Sequence, residues 1–318
     1  MQTDLPYIPS FEPAPWCLNG HFHTVGRSLF TFAGKPYQER IMISTPDDDV
    51  LEVDLIEGDP GKPVIALFHG LEGSTERYYV VELAESLQSA GYTVVAVNFR
   101  GCGSRMNRRR RFYHSGETGD YTLVFRWIRE RYPGRAIGAA GFSLGANALI
   151  KSLGEKGQEH PADAAVAISS PYDLKLGSLK LSEGFNRVYE EYFLRSLRKK
   201  LEKKKSVYPD MPEFTGSTLY EFDDQVTAPV HGFTDAEEYY ARCSSAQFLP
   251  AVDRPTLLIH SVDDPICPVD AMPSDIVNKN RFLHHIITRE GGHVGFWSRP
   301  QGWLNRTILN FFKRIFDD

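Results

Sequence analysis

Ser143 stands in Gly141-Phe142-Ser143-Leu144-Gly145, a G-x-S-x-G pattern in which a serine occupies a cramped turn between a strand and a helix. The flanks fit that context. Ile137, Ala139, Ala140 and Phe142 form an apolar run suited to a buried parallel strand, and Leu144, Ala146, Ala148, Leu149 and Ile150 suit the helix after it. Glycine is required at 141 and 145 because the backbone is strained there and strand and helix press too close for a side chain. Taken alone the pattern also fits an ordinary surface turn, so its weight depends on partners. A serine hydroxyl is a weak nucleophile until an imidazole takes its proton, and the imidazole needs an acid to fix its tautomer. Both lie downstream, each past an apolar run: Asp264 in Ser261-Val262-Asp263-Asp264-Pro265, and His293 in Glu290-Gly291-Gly292-His293. Asp263 competes for the acid role, and Asp264 is preferred because it stands three residues beyond Ser261, the small residue that leaves the strand. The expected triad is Ser143, Asp264 and His293, with the glycines before His293 letting its loop fold back toward the serine.

Acyl transfer by such a triad also needs donors aimed at the developing oxyanion. The backbone N–H of Leu144 supplies one, and the loop after Val64 to Phe68 supplies the second, most simply through Leu71 in His69-Gly70-Leu71. His69 is read as a prop for that loop; Glu72 fits either a contact with substrate or a cap of the following helix, and the cap is preferred. His21 and His23 have no third ligand at useful spacing and are read as structural or pocket-rim residues rather than metal ligands. Arg108-Arg109-Arg110-Arg111 fits a phosphate grip or a solvated loop, and the loop reading is preferred. Arg198-Lys199-Lys200 and Lys203-Lys204-Lys205 read as the charged outer face of a helix. No residue set calls for a metal or an organic cofactor.

The elements that must position these residues alternate. Strand-like runs at Glu39 to Ser44 and Val50 to Glu57 flank the turn Thr45-Pro46-Asp47-Asp48-Asp49 and form a hairpin. Strand Val64 to Phe68, helix Tyr78 to Ser89, strand Thr93 to Asn98, helix Asp120 to Arg131, strand Arg135 to Phe142, helix Leu144 to Leu153 and strand Ala164 to Ser169 follow. This order predicts an α/β fold, a mostly parallel sheet with helices on both faces. From 171 to 248 no buried strand is visible; Tyr189, Phe193, Leu197 and Leu201 fall at helical spacing, which predicts a helical lid inserted between two strands. The sheet resumes with Thr256 to His260 and His284 to Thr288, and a closing helix buries Trp303, Ile308, Leu309, Phe312, Ile315 and Phe316. The expected organisation is an arm at 1–37, irregular and packed on the body, a core at 38–170 and 249–318, and the lid between.

With 318 residues, 42% hydrophobic and 24% charged, the chain can bury a large core. Its net charge of -5 argues against a nucleic-acid partner. Four scattered cysteines, without a C-x-x-C, read as reduced thiols of a cytoplasmic protein. The sequence shows neither a signal peptide nor an apolar run long enough to cross a bilayer, so peripheral lipid contact is the only membrane association expected.

His69-Gly70-Leu71-Glu72-Gly73-Ser74, Asn98-Phe99-Arg100-Gly101-Cys102, Tyr113-His114-Ser115-Gly116-Glu117-Thr118, the serine pentapeptide, Glu221-Phe222-Asp223-Asp224, Asp263-Asp264-Pro265 and Gly291-Gly292-His293-Val294-Gly295-Phe296 span nearly the whole chain. On these segments the chain resembles the YheT-like, AB hydrolase-4 type branch of the α/β-hydrolases, which includes plant Emb-eight-type proteins and membrane-anchored animal phospholipase-like relatives. The resemblance implies the α/β-hydrolase fold and hydrolysis of small-molecule carboxylic esters by Ser143, Asp264 and His293, without a cofactor. The animal relatives carry an N-terminal membrane anchor; none is expected here, which weighs against a membrane-lipid substrate. Thioester hydrolysis and acyl transfer would use the same machinery, and a non-catalytic binding protein could share the scaffold.

Overall fold

Val64–Phe68 carries no polar side chain, so both faces of that strand need cover, and all five residues are fully buried. The computed structural model describes residues 9–30, 34 and 36–317. Its strands are β1 (Glu39–Ser44), β2 (Val50–Ile56), β3 (Val64–Phe68), β4 (Thr93–Asn98), β5 (Ile137–Phe142), β6 (Ala164–Ile168), β7 (Thr256–Ser261) and β8 (Leu283–Thr288). They form one sheet in the order β1-β2-β4-β3-β5-β6-β7-β8. β2 pairs antiparallel with β1 and β4, and every other neighbouring pair is parallel. The predicted α/β-hydrolase architecture is therefore present, with β5, which leads into Ser143, at its centre.

Helices α1 (Gly20–Phe30), α2 (Tyr78–Ser89), α3 (Gly119–Arg131) and α4 (Leu144–Lys156) fall before β6. Between β6 and β7 come α5 (Leu174–Leu181), α6 (Arg187–Lys205), α7 (Leu219–Phe222), α8 (Ala228–His231) and α9 (Ala236–Cys243), while α10 (Ser274–Lys279) and α11 (Trp303–Phe316) flank β8. Side chains leave β3 alternately to the two faces. Val64, Ala66 and Phe68 pack with Tyr121 and Phe125 of α3 and Leu149 of α4. Ile65 and Leu67 pack with Leu83 of α2 and with Ile308 and Phe312 of α11. On α11, Leu304 and Phe311 are buried as well, whereas Leu309, Ile315 and Phe316 are only half-buried. No helix of the described residues is long and apolar enough to cross a membrane.

One departure from the expected organisation concerns the start of the chain. The proline-rich start predicts an irregular arm, yet residues 20–30 form α1, because no proline stands between Pro15 and Pro36 and the stretch between them is uninterrupted. Residues 1–8, 31–33 and 35 of that arm lie outside the described residues. The segment before α1 runs along the body, where Trp303 Nε1 donates to Pro9 O at 2.6 Å and Ala14 N–H donates to Trp297 O at 2.9 Å. Between α7 and α8, Asp223–Thr227 forms one turn of π-helix. The far end of the inserted helices is tied to α4 by Asn147, whose amide donates to Ser115 O and Cys243 O, both at 2.8 Å, and accepts from Ser245 N–H at 2.9 Å.

Candidate active site

Ser143 has φ 54° and ψ −121°, a conformation that L residues rarely hold and that costs about 1–3 kcal/mol. The sequence forces it. A Cβ on Gly141 would lie 2.6 Å from Gly145 O, and one on Gly145 would lie 2.4 Å from His69 O, so β5, α4 and the loop after β3 meet only because both positions are glycine. The turn presents the hydroxyl to His293, whose Nε2 is 2.7 Å from Ser143 Oγ. His293 Nδ1 lies 2.8 Å from Asp264 Oδ2, and the other oxygen of that carboxylate accepts the N–H groups of Ile266 at 2.8 Å and Cys267 at 3.0 Å. Asp264, rather than Asp263, thus reaches the imidazole. Asp263 instead accepts the Gly292 N–H at 2.9 Å and shapes the histidine loop.

That loop has supports that sequence spacing does not reveal. Ser169 Oγ donates to His293 O, Ser261 Oγ donates to Gly292 O at 2.6 Å, and Thr24 Oγ1 on α1 accepts the His293 N–H at 3.0 Å. Gly292 has φ +62°, and a Cβ there would meet Gly20 O at 2.5 Å, so α1 and the loop are fitted to each other. His260 Nε2 lies 3.5 Å from Asp264 Oδ2 but also 2.9 Å from Cys267 O. Burial lowers its pKa, which keeps it neutral and leaves the carboxylate charge to His293.

Leu144 opens α4, where the first N–H groups have no acceptor within the helix and the dipole favours negative charge. Leu71 follows Gly70, on which a Cβ would fall 3.1 Å from Ser143 Cβ and 3.6 Å from its Oγ, so this loop lies directly against the serine. Among the described residues the Leu71 N–H has no acceptor. His69 props the loop as expected: its Nε2 accepts the Phe99 N–H at 3.2 Å, which leaves Nδ1–H to donate to Gly70 O at 2.7 Å. Burial pushes its pKa down to about 3, so the ring is neutral.

Glu72 is not a cap. The first turn of α2 lies beyond it and has Arg77 at the N-cap position without a side-chain bond. The Glu72 carboxylate accepts from Tyr113 OH at 2.8 Å, from Lys200 Nζ at 2.7 Å and from Ser196 Oγ, which ties the Leu71 loop to α6. Lys200 and Lys204 accordingly face inward rather than forming an outer charged face; Lys204 Nζ donates to Asn107 O at 2.7 Å and to Arg109 O. The arginine run is neither a free phosphate grip nor a bare solvated loop. Arg109 pairs with Asp48 at 3.1 Å, Arg110 with Asp210 at 3.3 Å and Arg111 with Glu117 at 2.7 Å.

His21 Nδ1 is 2.9 Å from Tyr189 OH, and buried His23 accepts the Trp297 N–H at 3.1 Å, so both are structural. All four cysteines are free. Asp264, Cys267 and His293 offer ligand atoms within 4.8 Å of one another. Both imidazole nitrogens are already engaged, however, and burial holds the Cys267 thiol well above its ordinary pKa, so the set does not fit a metal ion.

A cleft opens beside Ser143, with about 740 Å³ of space when the solvent at its mouth is included. Its walls include Leu71 and Leu144 from the core and Leu174, Leu181, Phe193 and Leu197 from the inserted helices, while Asp223, Thr227 and Tyr240 supply a polar end.

Residues 63–300 match the alpha/beta hydrolase fold family. The chain is 36% identical to the candidate esterase YheT of Escherichia coli (strain K12), covering 94% of this chain and 91% of that one. It is 28% identical to a monoacylglycerol lipase of Saccharomyces cerevisiae, over 88% of this chain and 64% of the yeast protein, and 25% identical to human phospholipase ABHD3, over 99% and 81%. Among solved structures, the Pyrococcus furiosus esterase Pf2001 superposes with a TM-score of 0.59 at 20% identity, covering 88% of this chain and 91% of that chain.

Proposed function

The chain belongs to the alpha/beta hydrolase fold family, in its YheT-like branch, and from that premise we propose that it is a serine esterase working through Ser143, Asp264 and His293. The reading rests on one observation above the others: a strained serine whose Oγ is 2.7 Å from an imidazole that is itself 2.8 Å from a buried carboxylate. Relatives named esterase and monoacylglycerol lipase support ester chemistry.

In the proposed reaction His293 Nε2 takes the hydroxyl proton as Ser143 Oγ attacks the ester carbonyl, and Asp264 stabilises the imidazolium. The oxyanion is held by the N–H groups of Leu71 and Leu144, each such donor being worth about 3–4 kcal/mol in acyl transfer. Collapse expels the alcohol, which receives the proton from His293. Water, deprotonated by the same imidazole, then releases the acid and restores the serine. The inserted helices at 171–248 act as the lid that walls the cleft and sets which ester arm fits.

A fluorophosphonate probe should label the protein, and Ser143→Ala should lose both the label and at least about 10⁴-fold of kcat on p-nitrophenyl esters. Labelling that survives the substitution, or a labelled protein that turns over no ester, would remove the assignment.

A further inference from the structure

The Glu221-Phe222-Asp223-Asp224 segment takes no part in the acyl-transfer machinery, yet it leads into the wall of the same cleft. Asp223 and Thr227 bracket the π-helical turn, and both line the cavity that contains Ser143. π-Turns are rare and recur at functional sites, because the extra residue re-aims side chains that a regular helix would stack elsewhere. Here the turn brings Thr227 Oγ1 within 2.7 Å of Asp223 Oδ1, and Tyr240 OH on α9 donates to Asp223 Oδ2 at 2.8 Å. A carboxylate has about four acceptor positions, and these hydroxyls fill two. Among the described residues no lysine, arginine or histidine pairs with Asp223, so its charge faces a mostly apolar cleft without a counter-ion. Burial pushes its pKa up to about 6, the response of a carboxyl that lacks water and a cation. At the same end Ser178 Oγ lies buried near the Tyr240 phenol without a well-formed hydrogen bond.

We propose that Asp223 is a recognition site for the ester's distal arm: its carboxylate accepts a hydrogen bond from a donor, a hydroxyl or a protonated amine, at the end of the arm that fills this cleft. The substrate class is then an ester with an apolar arm ending in a donor, rather than a plain alkyl ester. An apolar pocket alone separates chain lengths weakly, whereas a buried acceptor left unpaired penalises a ligand that cannot reach it.

The proposal rests on the serine esterase reading for the identity of the ligand, and its test is kept independent of turnover. Binding to Ser143→Ala protein is measured for matched esters of graded chain length whose acyl or alcohol arm ends in methyl, hydroxyl or ammonium. At the best-fitting length a donor-ended ester should bind about tenfold or more tightly than its methyl partner. Asp223→Ala in the same background should erase that preference. Asp223→Asn, which keeps the volume, should keep part of a hydroxyl preference but lose an ammonium preference, and so tells the two donors apart. Equal or tighter binding of the methyl-ended esters at every length, or a donor preference unchanged by Asp223→Ala in a folded protein, would overturn the inference. Either result would leave fluorophosphonate labelling of Ser143 intact, whereas failure of that labelling would strike the esterase reading instead.

Discussion

Asp264 touches no atom of the ester in the proposed reaction; it acts through the ring of His293, 2.8 Å away. Asparagine at 264 would fill the same space and could still accept from the Ile266 and Cys267 amides, but its NH₂ would face Nδ1 and favour the wrong tautomer. Asp264→Asn should therefore lower kcat by about 10⁴-fold while the thermal midpoint stays close to that of the parent. Asp263→Asn, which retains an acceptor for the Gly292 N–H, should lose far less. Comparable losses in the two variants would mean that loop shape, not imidazole orientation, dominates. The meeting of Ser143, Asp264 and His293 was legible in the sequence because the proposed chemistry admits few residue types and each of the three follows an apolar run. Glu72 was misread because a carboxylate shortly before a helix resembles a cap, while its real partners, Ser196 and Lys200, lie 124 and 128 positions away. Thr24 was invisible for the same reason, lying 269 positions from the histidine whose backbone it holds.

At the level of elements, α6 is docked to the core by a buried pair as well as by apolar side chains. Leu194 and Leu201 pack with Phe112, Met211 and Phe222, while Lys200 and Glu72 keep only 13% and 1% of their side chains exposed. Removing one member of such a pair strands the other, at a cost of about 3–5 kcal/mol, whereas replacing both is often close to neutral. Lys200→Ala should thus lower the urea midpoint and expose α6 to protease, and Glu72→Gln combined with Lys200→Met should recover most of the loss. If the double variant is as unstable as Lys200→Ala, the pair is not the anchor. Helical periodicity located α6 correctly from Tyr189, Phe193, Leu197 and Leu201. It misplaced Lys200 and Lys204 because counting apolar positions sends every charge to the outside, whereas these two stems, one turn apart, reach Glu72 and the carbonyls of Asn107 and Arg109. The start of the chain erred the other way: its early prolines hid the helix that follows them.

Over the whole molecule, the cost of building this frame is concentrated in its histidines. Burial lowers the pKa of His23, His69, His114, His160, His231, His260 and His284, and for His69 and His160 to about 3. Each folded-state value lies below the unfolded value of 6.5, so between the two the unfolded chain binds more protons and stability must fall as the pH falls. At about 1.4 kcal/mol per pKa unit, His69 and His160 alone should remove about 4 kcal/mol by pH 5. Asp223 works in the opposite direction, because burial raises its folded pKa to about 6 from 3.8 and protonation relieves a charge the fold disfavours. It offsets only part of the loss. Urea midpoints measured from pH 7.5 to 5 should therefore be level near neutrality and drop steeply below about pH 6.5, with activity failing as the loops held by His69 and His260 loosen. A midpoint that stays constant or rises across that range would mean that these rings find water or acidic partners when protonated, and that the sheet's active edge is less dry than the packing around β3, β5 and β7 implies.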